Sequence, residues 1–196
     1  LDEIVIPGSV TSIGDNAFTS CSKLSHITIP SSVTTIGDCV FQFCYNLEKI
    51  TILSSMISIG HSLFHGCSSL KEFIIPSFIT KIEKNTFYEC SNLTEITIPT
   101  SITEIEQKAF YHCNNLKQIK IPSSVTSIKW NAFYCCSNLQ SIDIPENVTT
   151  IEDSAFYKCT SIKYLTIPGN VIKIGENAFQ LCSNLISVTF LGTNDP

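Results

Sequence analysis

A period of 23 residues governs this chain. Phe18, Phe41, Phe64, Phe87, Phe110, Phe133, Phe156 and Phe179 follow one another at that step without a gap. A Cys stands three residues after each, from Cys21 to Cys182, and an Ile column runs in the same register from Ile13 to Ile174. Pro fills a fourth column from Pro7 to Pro168, with Leu53 as its one replacement. Self-similarity at a period of 20–50 residues is the mark of a repeat architecture, in which no unit buries its apolar face alone and neighbours supply the rest of the core. The chain is therefore read as one domain over residues 1–196: a partial coil at 1–6, eight repeats over 7–190, and a tail at 191–196.

Within a unit, Leu24, Ile27 and Ile29 alternate with polar residues, which is the strand period. Pro30 ends that strand because it has no N–H to give a ladder. Val33 and Ile36 mark a second short extended piece. Asp15-Asn16-Ala17-Phe18 through Cys21 has capping residues ahead of apolar ones, and predicts a single helical turn. Coils stacked at about 4.8 Å would build a rod or arc about 40 Å long.

The unit resembles the BspA-like, Treponema-type leucine-rich repeats, whose pattern runs Leu-x-x-Ile-x-Ile-Pro-x-x-Val-x-x-Ile-Gly-x-x-Ala-Phe-x-x-Cys. The likeness covers 7–190, with local departures at Leu53, at Met56 for Val, at Thr86 for Ala, and at Glu83, Glu106, Lys129 and Glu152 for Gly. It implies a leucine-rich-repeat solenoid, a right-handed stack with a parallel β-sheet on its concave face. It also implies display on the surface of mucosal bacteria or protists, or secretion, with adhesive or protein-binding roles; a cytoplasmic place is the alternative. Fold alone does not fix function.

Composition narrows the partners. The 12 basic residues are all Lys, against 17 Asp plus Glu, for a net charge of −5. Nucleic acid is not an expected partner, since phosphate recognition wants a basic patch and usually Arg forks. No apolar run approaches the roughly 20 residues of a membrane-spanning helix. Ten Cys would suggest disulfides in a short secreted chain. Eight of them, however, share one inward column whose parallel side chains suit stacked thiols better than disulfide geometry. Cys39 and Cys135 lie outside that column, four coils or about 19 Å apart, and are read as surface thiols.

No catalytic constellation, cofactor motif or metal centre is expected. His61, His65 and Cys67 form the one metal-like group, but Cys67 belongs to the core column and tetrahedral zinc wants a further ligand. The carboxylates are scattered, and Ser and Thr do not recur beside a fixed His and Asp. Asn92-Leu93-Thr94 and Asn147-Val148-Thr149 match the glycosylation triplet, which matters only in a secreted eukaryotic protein.

Two faces remain for recognition. On the expected concave sheet the outward residues include His26, Lys49, Glu72, Glu95, Gln118 and Tyr164 in one column, and Ile74, Lys120 and Asp143 in the next. On a flank, Tyr88, Tyr111, Tyr134 and Tyr157 follow the core Phe in four successive coils, with Trp130 nearby. Tyr joins a broad apolar ring to a hydrogen-bonding tip and is favoured at interfaces. The expected function is a non-enzymatic binding or adhesion scaffold engaging a protein or glycan on a host cell or matrix. A structural spacer or an intracellular assembly scaffold is the alternative. The unit pattern offers no polar terminal caps, so flanking sequence or end-to-end self-association is also expected.

Overall fold

The computed structural model describes residues 3–53 and 58–192. Met56, the first two residues of the partial coil and the end of the tail lie outside them. The described residues form a parallel β-solenoid whose every strand pairing is offset by one repeat: Glu3 faces His26, Ile13 faces Ile36, Ile128 faces Ile151. One row holds the longer strands: β1 (Glu3–Val5), β3 (His26–Ile29), β5 (Lys49–Ile52), β7 (Glu72–Ile74), β9 (Glu95–Thr97), β11 (Gln118–Lys120), β13 (Ser141–Asp143), β15 (Tyr164–Ile167) and β17 (Ser187–Phe190). A second row, formed by the Val-x-x-Ile piece, holds two-residue strands: β2 (Ser12–Ile13), β4 (Thr35–Ile36), β6 (Ser58–Ile59), β8 (Lys81–Ile82), β10 (Glu104–Ile105), β12 (Ser127–Ile128), β14 (Thr150–Ile151) and β16 (Lys173–Ile174).

The third side of each coil corrects the helical expectation. Asp15–Cys21 and its equivalents are chained turns, not helix. Ala109 N–H donates to Glu106 O, Tyr111 to Lys108 and Cys113 to Phe110, all three residues back. The intervening N–H groups leave the coil altogether: Asn16 donates to Asp38 O, Phe18 to Val40 O and Ser20 to Gln42 O, at 2.7–3.0 Å. Two positions in every unit have positive φ, for example Asn16 at 59° and Ser20 at 61°, as the third residue of such a turn requires when its φ is positive. A left-handed residue costs on the order of 1–2 kcal/mol unless it is Gly or Asn, and here Lys108, His112 and Lys158 accept it. The inter-coil bonds offset that cost.

The core runs unbroken through the stack. From Phe41 to Phe156 the column Phe side chains are fully buried or nearly so, and successive rings from Phe18 to Phe179 lie 5.2–6.0 Å apart within 24° of parallel. All ten thiols are free. From Cys44 to Cys182 each column thiol donates to the Phe carbonyl of the preceding coil at 3.1–3.3 Å, as Cys113 does to Phe87 O. The column selects Cys because it is a small apolar group with one weak donor, aimed at a carbonyl lone pair. Burial drives these thiols away from ionisation; Cys44 is pushed up to about 12. Cys135 departs from its expected surface place: it is only 6% exposed, tucked at a left-handed position beside the Tyr flank. Cys39 stays half-buried.

A second coupling explains the Gly column. Asp15 Oδ1 accepts the Asp38 N–H, Asp38 Oδ1 the His61 N–H, and Asp153 Oδ1 the Glu176 N–H, at 2.8–2.9 Å. Each carboxylate crosses the Cα of the next coil's Gly37, Gly60 or Gly175, where a methyl would overlap it. Where the preceding residue is His61, Lys84, Gln107 or Trp130 instead, the column changes to Glu83, Glu106, Lys129 and Glu152. Those longer side chains bond across coils in another way. Lys129 pairs with Glu152 at 3.3 Å, Glu152 accepts the Trp130 N–H at 2.9 Å, and Lys81 lies 3.4–3.7 Å from Glu83, Glu104 and Glu106.

Two measurements check this packing. Gly37→Ala should destabilise the chain by about 1–3 kcal/mol in denaturant unfolding, whereas Gly14→Ala, with open space at its Cβ, should be neutral or gain about 0.5 kcal/mol; equal effects would refute the carboxylate crossing. Stability should be full below the ordinary thiol pKa of 9.0 and decline as pH rises above it, because the unfolded chain ionises its thiols while the folded chain holds Cys44, Cys67 and Cys113 protonated. A stability profile flat to about pH 11 would contradict the buried thiol column.

Candidate binding surface

The long-strand row gathers the residues expected to face outward. Ile27, Ile50, Phe73, Ile96, Ile119, Ile142 and Leu165 point into the core, so the alternation leaves their neighbours in solvent. His26, Lys49, Glu72, Ile74, Glu95, Gln118, Lys120, Asp143 and Tyr164 are all exposed there. Three depressions among the described residues lie along this face. The first, about 480 Å³, is lined by Glu95, Thr97, Gln118, Lys120, Ser141 and Asp143. The second, about 510 Å³, brings Lys49, Thr51, Glu72 and Ile74 together with Pro76 and Phe78. The third, about 200 Å³, sits between Val5, His26, Thr28 and Leu53. Tyr164 stands apart from these three, paired in register with Ser187. Phe78 is a lining residue absent from the outward columns expected from the strand alternation. The available signal was its column, where Ser9, Ser32, Ser101 and Ser124 stand in other coils.

The Tyr flank is a continuous stack. Tyr88, Tyr111, Tyr134 and Tyr157 lie 4.5–4.7 Å apart within 11° of parallel. His65 extends it beyond Tyr88 at 4.5 Å, and Gln42 holds the His65 Nδ1 at 3.0 Å. Trp130 joins through a cation: Lys108 Nζ lies 4.6 Å from its ring centre and 5.8 Å from that of Tyr111. Burial raises the Tyr88, Tyr111 and Tyr134 phenols above their ordinary range. Burial also lowers the pKa of His65 and His112, favouring neutral rings. Inside this ladder each ring face is covered by the next ring, so ring edges and hydroxyls are what a partner would meet.

The metal-like group comes apart. His61 Nε2 lies 3.1 Å from Asp38 Oδ2, His65 is in the aromatic stack, and the Cys67 thiol bonds Phe41 O inside the core. Among the described residues no three His, Cys, Asp or Glu side chains gather to hold a metal. Stacking does assemble an Asp38–His61–Cys39 row that chain order conceals, with His61 Nδ1 3.9 Å from the Cys39 Sγ. That nitrogen is nearer to Ser62 Oγ, at 3.1 Å. Burial raises the Cys39 thiol pKa, and Asp38 and Asp15 raise it further against a Ser62 hydrogen bond. This thiol is held back from the thiolate form a nucleophile needs. Of the two glycosylation triplets, Asn92 accepts from Asn115 in a short Asn ladder and Asn147 donates to Ser123 O.

The profile of the BspA type leucine rich repeat region (6 copies) matches residues 1–115 and 80–195. A leucine-rich repeat protein from Bacteroides ovatus is 32% identical with a TM-score of 0.83, over 98% of this chain and 56% of that one. The leucine rich repeat protein of T. pallidum is 28% identical with a TM-score of 0.77, over 82% and 78%. A leucine rich cell surface protein from Faecalibacterium prausnitzii is 31% identical with a TM-score of 0.65, over 100% and 49%. The chain thus spans about half the length of the first and last of these. No curated protein matches it. Leucine-rich repeats of this type are scaffolds commonly used in protein binding, generally non-enzymatic and often surface-associated. Among the described residues no helix is long and apolar enough to cross a membrane. With the profile spanning nearly its full length, this chain belongs to the BspA-type leucine-rich repeat family.

Proposed function

We propose that this chain is a non-enzymatic, surface-displayed binding segment whose long-strand face engages a protein of a host cell or its matrix. The observation that carries the reading is the sequence variety of one outward column set over depressions. Core columns hardly change from coil to coil, yet the outward row runs His26, Lys49, Glu72, Glu95, Gln118, Ser141, Tyr164. Such a face offers mixed charge and hydrogen-bonding groups around shallow apolar floors, the make-up of a polar-rimmed protein interface. The surface description of the Faecalibacterium protein supports display, as does the habit of the family. The Tyr flank is a second surface on the same scaffold, favoured less because its ring faces are already consumed by stacking.

Immobilised chain, presented with host-surface proteins and matrix, should retain a partner. Reversing Lys120 and Asp143 together should weaken that retention at least about tenfold, roughly 1.4 kcal/mol, while Tyr111→Ala with Tyr134→Ala should change it less. Retention indifferent to a scan of the whole outward row would leave a spacer as the better account. Labelling of intact cells with an impermeant reagent checks display; a chain protected from label until lysis would reverse that part.

A further inference from the structure

Three columns change from their usual residue to a large, exposed apolar one within little more than one coil. Leu53 replaces the column Pro, Ile74 stands in a column that is Thr in most coils, and Phe78 stands in one that is mostly Ser. These side chains are 61%, 81% and 36% exposed. Exposed apolar groups add nothing to the core, since stabilisation follows the area removed from water. Ile74 and Phe78 line one trough of about 510 Å³, and Leu53 lines the depression beside His26 and Thr28.

Charge completes the site. Glu72 and Glu95 face each other in register on β7 and β9. Like charges directly opposite on adjacent strands are destabilising, and among the described residues neither carboxylate has an ion pair. Lys49, on the other side of Glu72, has none either. A cation placed between Glu72 and Glu95 would relieve the repulsion. Glu72 and Ile74 are two residues apart on one face of a strand, about 6.6 Å, which is also the span between alternate side chains of an extended peptide.

Resting on the long-strand face as the binding surface, we infer that this trough anchors an extended segment of the partner protein carrying Lys or Arg two positions from a large aliphatic or aromatic residue. The apolar side chain lies against Ile74 and Phe78, and the cation sits between Glu72 and Glu95. The depression around Lys120 and Asp143 has mixed charge and no exposed large apolar residue, so it does not offer the same anchor.

The test is an NMR titration of isotope-labelled chain with a capped peptide, Gly-Ser-Gly-Arg-Thr-Leu-Thr-Gly-Ser. Saturable shifts should be confined to 49–52, 72–78 and 95–97, and should weaken as salt rises. Replacing the peptide Arg by Glu, or its Leu by Ser, should weaken binding at least about tenfold. Ile74→Thr with Phe78→Ser should do the same; these substitutions restore the residues that other coils carry, so thermal melting should be unchanged. Glu72→Gln with Glu95→Gln separately removes the charge. Equal binding of the Glu peptide, indifference to either pair of substitutions, or no saturable shift at millimolar peptide would overturn the trough. Shifts confined to 118–143 would overturn it too, while leaving the broader reading of the long-strand face standing.

Discussion

The structure depends on hydrogen bonds that cross between coils in opposite senses on its different sides. On the strand sides a coil donates backward, as Thr34 N–H does to Thr11 O and Gly37 N–H to Ile13 O. On the turn side it donates forward, from Asn16, Phe18 and Ser20 into the next coil. Both senses close only if every coil has the same length, because one added residue would set N–H groups against N–H groups. Backbone groups buried without partners cost free energy comparable to a lost hydrogen bond. The fixed period of 23 is the outcome of that constraint, and the identical columns of Phe, Cys and Ile follow from it.

With the inside fixed by stacking, variation is confined to outward positions. The Asp–Gly coupling shows how far the constraint reaches. A carboxylate at Asp15 excludes a side chain at Gly37 in the next coil, while Gln107 and Trp130 leave room for Lys129 and Glu152. Repeat units are thus matched to their neighbours even at the surface, one coil ahead in the chain. The long-strand face escapes this coupling because its side chains stand out from the sheet, leaving each coil free to present its own group.

Much of this was legible in the sequence. The columns located the core, the alternation of Leu24, Ile27 and Ile29 located the long strands, and the same alternation put Lys49, Glu72, Glu95 and Lys120 outside. The turn side is not legible, because Asp15-Asn16-Ala17-Phe18 has the local look of a helix start and local preference says nothing about N–H groups recruited by the next coil. Cys135 stands outside the inward Cys column, which on column position alone puts it at the surface; the column does not show that so short a side chain is covered beside the Tyr flank, where Glu89 and Lys158 at the same position stay exposed. Phe78 is inconspicuous among its neighbours in chain order; its oddity appears only against Ser9, Ser32, Ser101 and Ser124. The approach of His61 to Cys39 and Asp38 has the same character, being a contact between coils and not between sequence neighbours.

The uniform offset of the strand pairs carries an evolutionary consequence. Losing or duplicating a whole unit restores every backbone partner, whereas a shift of one residue breaks the strand ladders and turns core side chains outward. Genes for such chains can therefore change length by recombination between their own repeats, and the reading face grows or shrinks in quanta of about 4.8 Å. Each new copy begins with its inherited surface groups, which are then free to diverge while the interior stays as it was.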